Sequence, residues 1–169
     1  MIRVRPTREA DIGHLDAIER SSATLFRTIP DLAWLADDRT AGPEAHAHAV
    51  AQGLSWVAAD EADQPVGFLI AAVEDNAELH VLELSVAADH QGRGAGQALM
   101  QTARREAEAR ALSALTLTTF AGVAWNAPFY ARLGYAALSA ETTPTYLRDA
   151  LAAQTEHGLT DRVAMRLTL

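Results

Sequence analysis

The chain has 169 residues, a formal net charge of −8 and no cysteine. Its length and its 49% apolar content predict one globular domain over residues 1–169. The lack of cysteine excludes disulfides and thiolate chemistry, and the acidic balance disfavours nucleic acid as a partner. The opening MIRVRPTREADIGHL has no apolar signal region, and no apolar run approaches membrane-spanning length. We therefore expect a cytoplasmic protein that does not bind membranes.

The N-terminal third predicts one strand and a series of helical segments. Alternation at 2–5 predicts a strand, and apolar spacing continues a helix from about residue 7 to residue 26, before a break at 28–30. A short helical turn at 31–38 and a second helix at 44–52 follow. His46 and His48 are two residues apart and so lie on different helix faces, which predicts surface histidines rather than a metal pair.

The middle and C-terminal parts alternate between strands and helices. Polar turns separate three strands of an antiparallel meander, and a helical crossover then leads to a strand that should pair in parallel with the third. The predicted elements, in order, are strands at 54–59, 66–73 and 79–86, a helix at 94–110, a strand at 112–119, a helix starting after Asn126, a strand at 135–138, a helix at 143–157 and a strand at 162–167.

The segment 78–100 predicts an anion site, because a strand, a glycine-rich loop and a helix follow one another. Glycines let a ligand approach the backbone, and the first N–H groups of a helix lack helical acceptors. A triphosphate-binding P-loop would need Lys and then Ser or Thr after the last glycine, but Gln97 and Ala98 stand there and the chain has no Lys. The glycine spacing is also wrong for a dinucleotide fingerprint.

A third interpretation of this loop fits. The run Gln91-Gly92-Arg93-Gly94-Ala95-Gly96 resembles Q/R-x-x-G-x-G/A, the pyrophosphate loop of the GCN5-related N-acetyltransferases (GNAT family). The segment 126–135 resembles the second signature of that family, a short helix ending in Y-x-x-x-G-F/Y. The resemblance is close over about 66–135, whereas the two ends match only in element order.

The resemblance implies a single N-acetyltransferase domain. Its fold would be a mixed, mainly antiparallel α/β sheet with a splayed parallel strand pair and helices on both faces. It implies acetyl-CoA as cosubstrate and no metal. The expected CoA contacts are the strand backbone at Leu84, Ser85 and Val86, the loop residues Gln91, Gly92, Arg93, Gly94, Ala95, Gly96 and Gln97, and the downstream residues Asn126 and Tyr130.

Two residues compete for the role of base that takes the amine proton. His80 lies six residues before Val86, where several branches of the family place a base, and strand parity puts it on one face with Leu82 and Leu84. Glu83 is a charged residue in an apolar strand, and it would need a bulge to reach that face. The choice stays open between His80, Glu83 and a water relay.

The resemblance implies that Tyr130 is the acid, because it occupies the family's position for the tyrosine near the CoA sulfur. The family often has an Asn seven residues earlier, where this chain has Val123; Asn126 can cap the following helix. Candidate acceptor contacts are Phe26, Trp34 and Trp125.

These residues indicate direct attack of a primary amine on acetyl-CoA in a ternary complex. The acidic charge suits a small cationic amine, and the dimers common among relatives make a homodimer an option. The alternatives are a non-catalytic CoA-binding sensor and an acetyltransferase acting on protein N-termini or lysines.

Overall fold

The computed structural model describes residues 1–169 and contains seven strands and five α-helices. The strands are β1 (Arg3–Pro6), β2 (Ser55–Ala59), β3 (Pro65–Glu74), β4 (Glu78–Val86), β5 (Ala114–Phe120), β6 (Ala136–Ala137) and β7 (Arg162–Thr168). The helices are α1 (Ile12–Ala23), α2 (Pro43–Ala51), α3 (Ala95–Ala109), α4 (Ala127–Arg132) and α5 (Thr145–Glu156). None of them combines the length and the apolar character needed to cross a membrane.

The strands form one mixed sheet in the order β1-β2-β3-β4-β5-β7-β6. The pairs β1–β2, β2–β3, β5–β7 and β6–β7 are antiparallel, while β4 and β5 are parallel. The parallel register covers only three residue pairs, from Glu78 with Ala114 to His80 with Thr116. The predicted fold class, a mainly antiparallel sheet with one parallel pair and flanking helices, is confirmed.

The first of two compact units comprises Met1–Ala72 and Val81–Glu106. Its core joins apolar residues of α1, α2, β2 and β3, which are Leu15, Ile18, Ala49, Val57, Phe68 and Ile70. His46 belongs to this interior, because it is 2% exposed and packs edge-on against Phe68 at 4.9 Å between ring centroids. The prediction of a surface histidine at position 46 is therefore wrong. Burial lowers the pKa of His46 and keeps the ring neutral.

The second unit comprises Val73–His80 and Ala107–Leu169. Strand β5 pairs with β7 along seven residues, from Ala114 with Thr168 to Phe120 with Arg162. The buried apolar residues of this unit include Leu79, Leu115, Leu117, Leu147 and Met165. Helix α5 is followed by Gly158, whose φ of 95° and N–H bond to the Thr155 carbonyl form a glycine stop.

The N-terminal helical region differs in type from the prediction. Helix α1 ends at Ala23, and the chain continues as two 3₁₀ helices, Thr24–Thr28 and Pro30–Asp37, where one helix to Phe26 and a short turn were expected. Pro30, which has no N–H to donate, opens the second of these 3₁₀ helices. Phe26 and Trp34 therefore lie on short segments that pack against each other.

Gly67 lets the end of β4 approach β3 closely. A Cβ atom at this position would lie 3.0 Å from the carbonyl oxygen of Ser85 and 3.1 Å from Cγ2 of Val86. We expect Gly67→Ala to lower the free energy of unfolding by about 1–3 kcal/mol, because a backbone carbonyl has little freedom to move away. Urea denaturation measures this change.

Gly13 in α1 supplies the matched control for Gly67. A Cβ atom at Gly13 would have no other atom within 4 Å, so Gly13→Ala should stabilise the helix by roughly 0.5–1 kcal/mol. Equal stabilities of Gly67→Ala and the wild type would contradict close packing at the end of β4.

Candidate active site

The glycine-rich loop joins β4 to α3 in an open, left-handed conformation. Gly92 and Gly94 have φ angles of 72° and 84°, and no atom lies within 4 Å of a Cβ placed on either one. The first helical hydrogen bond runs from Ala98 N–H to the Gly94 carbonyl, so the N–H groups preceding it in the first turn of α3 have no helical acceptor. These donors, with the helix dipole, suit an anion such as pyrophosphate.

Gln91 ties this loop to the end of β4. Its Nε2 donates to the carbonyl oxygen of Val86 at 2.8 Å, which fixes where the loop leaves the strand. Arg93 is exposed between the two left-handed glycines, and Ala95 is buried at the start of α3. The structure therefore assembles the predicted loop, from Gln91 to Gln97, at a helix N-terminus.

The second half of β4 holds Glu83 in a local contact. Ser85 Oγ donates to Glu83 Oε1 at 2.9 Å, which is a contact between residues two apart on one strand face. Ser85 is buried, whereas Leu82 is 49% exposed. Residues two apart share a face of a regular strand, so this contact forms without the bulge that would bring Glu83 onto the face of His80.

His80 lies at the start of a chain of hydrogen bonds. Its Nδ1 is 3.1 Å from Thr116 Oγ1, which is 2.6 Å from the Tyr146 hydroxyl. Tyr146 in turn donates to Oε2 of Glu78 at 2.7 Å, and Arg166 forms an ion pair with Oε1 of Glu78. Burial lowers the pKa of His80 to about 4, and a hydrogen bond with the Thr116 backbone raises that pKa by a smaller amount. The ring is therefore neutral at pH 7.

The four other residues of this hydrogen-bonded chain are absent from the sequence-based prediction of the site, although strand register could have indicated Thr116 and Arg166. Thr116 is opposite His80 in the parallel pair and opposite Arg166 in the antiparallel pair, so the three residues form one row across the sheet. Tyr146 comes from α5, which no local sequence pattern connects to β4. Burial raises the pKa of its hydroxyl, which keeps it a proton donor.

Tyr130 lies on the short helix α4. Gly134, at a φ of 95°, donates its N–H to the Ala131 carbonyl and ends the helix, which explains the glycine of the second signature. The Tyr130 ring is half-buried and packs against Phe129 and Tyr135, with centroids 5.1 and 6.1 Å apart.

Asn126 does not cap α4 with its side chain. Its Oδ1 accepts a hydrogen bond from Thr119 Oγ1 at 2.7 Å, and only its backbone carbonyl bonds to the N–H groups of Phe129 and Tyr130. The expectation of a side-chain cap is therefore wrong, because the end of β5 takes the amide oxygen. Val123, at the position where the family often has Asn, is buried.

The candidate acceptor residues keep exposed surface. Trp34 is 39% exposed and Trp125 is 37% exposed, while Phe26 is partly buried. Exposed tryptophan surface is available to contact a ligand. The assignment of these three residues to an acceptor stays a prediction.

Comparison with known proteins agrees with the fold and the loop. The family described as "Acetyltransferase (GNAT) domain" matches residues 51–137, which is 87 of the 169 residues. The chain therefore belongs to the GNAT acetyltransferase family, and it is an acyltransferase. This membership confirms the family resemblance stated from the loop.

Solved structures share the fold along nearly the whole chain. The PaiA N-acetyltransferase of Thermoplasma acidophilum, in complex with coenzyme A, is 14% identical with a TM-score of 0.72, covering 100% of this chain and 99% of that one. Rv2747 of Mycobacterium tuberculosis, in complex with CoA and NLQ, is 17% identical with a TM-score of 0.74 and covers 99% of each chain. The ribosomal-protein-S18-alanine N-acetyltransferase of Escherichia coli is 20% identical with a TM-score of 0.69, covering 99% and 94%.

Proposed function

We propose that the protein transfers an acetyl group from acetyl-CoA to the primary amine of a small molecule, by direct attack in a ternary complex. The observation that carries the proposal is the open left-handed loop at the N-terminus of α3, with Gly92 and Gly94 beside unpaired first-turn N–H groups. The CoA bound in the similar structures from Thermoplasma acidophilum and Mycobacterium tuberculosis supports it.

The loop supplies the grip on the cosubstrate. Its N–H groups and the α3 dipole bind the pyrophosphate of CoA, and the exposed Arg93 side chain pairs with a phosphate oxygen. The backbone at Leu84, Ser85 and Val86 pairs with the pantetheine arm in the manner of an added strand.

The reaction forms a carbon–nitrogen bond and breaks a carbon–sulfur bond. The neutral amine attacks the thioester carbonyl, the electron pair of the breaking bond moves to sulfur, and the thiolate takes a proton from the Tyr130 phenol. A base removes the proton of the attacking amine and, through solvent, the phenol regains its own. The chain has no cysteine to carry a covalent acyl intermediate, which favours direct transfer.

His80 is the base that we favour over Glu83. It is neutral at pH 7, because burial lowers its pKa to about 4, and its Nδ1 is engaged with Thr116. Glu83 already accepts a hydrogen bond from Ser85. The acidic net charge of −8 attracts a cationic acceptor over some distance.

The base assignment predicts an unusual pH profile. A base works only when unprotonated, so activity is lost as pH falls through its pKa. The acid limb of kcat/KM that belongs to His80 should therefore lie near pH 4 rather than near the ordinary 6.5. His80→Gln should remove this limb and lower kcat/KM by about 100-fold, while Glu83→Gln keeps it. The reverse pattern would assign the base to Glu83.

An assay of thiol release tests the function itself. The purified protein is incubated with acetyl-CoA and a panel of small primary amines, with N-terminal and lysine peptides as a second panel. Turnover on a small amine is the expected result. Tight CoA binding without turnover on any amine would favour a sensor module, and turnover on peptides alone would overturn the small-molecule acceptor.

A further inference from the structure

We infer that Glu78, Tyr146 and Thr116 fix the tautomer of His80, with its proton on Nδ1 and a free lone pair on Nε2. The catalytic role of this tautomer rests on the proposed function, whereas the assignment of the proton follows from the geometry alone. Tyr146 and Thr116 are thereby positioning residues for the base.

The order of donors begins at the buried carboxylate. Glu78 is fully buried, and its ion pair with Arg166 favours the ionised form, since the guanidinium is always charged. An ionised carboxylate can only accept, so the single hydroxyl proton of Tyr146 must point to Oε2 at 2.7 Å.

Each following hydrogen bond is then determined. The only hydroxyl proton of Tyr146 points to Glu78, so the Tyr146 oxygen can only accept from Thr116 Oγ1, which lies 2.6 Å away. The only hydroxyl proton of Thr116 then points to Tyr146, so in the 3.1 Å contact the His80 Nδ1 must carry a hydrogen and donate it to Thr116 Oγ1. The opposite tautomer would reverse the direction along the chain and leave no proton between Tyr146 and the carboxylate, which would place two oxygen lone pairs 2.7 Å apart.

The charged and titratable groups around His80 agree with this order. Glu78 comes from β4, Arg166 from β7 and Tyr146 from α5. The Tyr146 ring packs edge-on against the His80 imidazole, with 5.5 Å between the ring centroids. Glu74 adds a second negative charge that raises the pKa of Tyr146 and keeps the phenol protonated. The two nitrogens of a histidine have different roles, and the partner of one sets the role of the other. Nε2 is therefore the atom that takes the proton.

Nitrogen-15 NMR of the imidazole measures the tautomer without substrate. The His80 signals are assigned by their loss in His80→Gln, and at pH 7 the wild type should show a protonated Nδ1 and an unprotonated Nε2. Thr116→Val and Tyr146→Phe should each populate the Nε2–H tautomer, and Thr116→Ser should restore the wild-type signals. A protonated Nε2 in the wild type, or an unchanged tautomer in Thr116→Val, would overturn the inference.

Thr118→Val is the matched control. Thr118 lies two residues further along β5, and its hydroxyl accepts hydrogen bonds from Gln154 at 2.9 Å and Arg162 at 3.3 Å, whereas the hydroxyl bonded to His80 is that of Thr116. This variant should leave both the His80 signals and kcat unchanged, whereas Thr116→Val should lower kcat by about tenfold and Thr116→Ser should recover it. Wild-type signals as expected, with no turnover on any amine, would reject the proposed function and leave the tautomer assignment standing.

Discussion

Gly94→Glu is expected to abolish CoA binding while the protein stays folded. Gly94 is exposed at a φ of 84°, directly before the first turn of α3. A glutamate there places a negative charge beside the N–H groups proposed to bind the pyrophosphate, and the like charges of the carboxylate and the phosphates repel each other. We expect affinity for CoA, measured by calorimetry, to fall at least about 100-fold, which corresponds to about 2.7 kcal/mol.

Gly42→Glu separates this effect from backbone strain. Gly42 precedes α2 at a φ of 83°, and its Cβ position is equally open. Both variants should lose a similar amount of stability, about 1–2 kcal/mol for a left-handed residue with a side chain. Only the Gly94 variant should lose CoA. A Gly94→Glu protein that binds CoA as tightly as Gly42→Glu would show that the loop is not the phosphate site.

The glycine loop was predictable from sequence because its physics is local. Left-handed glycines, an approaching strand and a following helix all lie within about twenty residues, so the pattern of Gly92 and Gly94 predicts the geometry that the structure has. The same holds for Gly134 and Gly158, which end α4 and α5 at positive φ. Element order along the chain followed from apolar periodicity for the same reason.

The environment of His80 could not be predicted, because it depends on long-range pairing. Thr116, Tyr146 and Arg166 are 36 or more residues away from it in sequence. The register of β4, β5 and β7 aligns Thr116 and Arg166, and the packing of α5 brings Tyr146 to them. The prediction that His46 lies on the surface was wrong for a related reason. The two-residue spacing of His46 and His48 argues against a metal pair but does not say which face of α2 is buried, and the His46 ring turns toward Phe68. Charge and tautomer at a buried site follow from tertiary contacts rather than from spacing.

Tyr130→Phe is expected to lower kcat by about 100-fold with little change in acetyl-CoA affinity. The substitution keeps the ring, which packs against Phe129 and Tyr135, and removes only the hydroxyl that we propose as the proton donor to the leaving thiolate. General acid catalysis contributes about 100-fold or more, and this contribution exists only in the transition state. Steady-state kinetics with acetyl-CoA, together with direct measurement of CoA binding, separates the two effects.

Tyr135→Phe provides the matched control, since it removes the same atom from a neighbouring ring. Tyr135 is 4% exposed and stacks edge-on with Tyr130, so its substitution should change the free energy of unfolding but leave kcat within about twofold. If both variants lose turnover equally, the effect comes from the contact between the Tyr130 and Tyr135 rings rather than from proton donation. An unchanged rate in Tyr130→Phe would remove the tyrosine from the mechanism and leave water as the proton source for the thiolate.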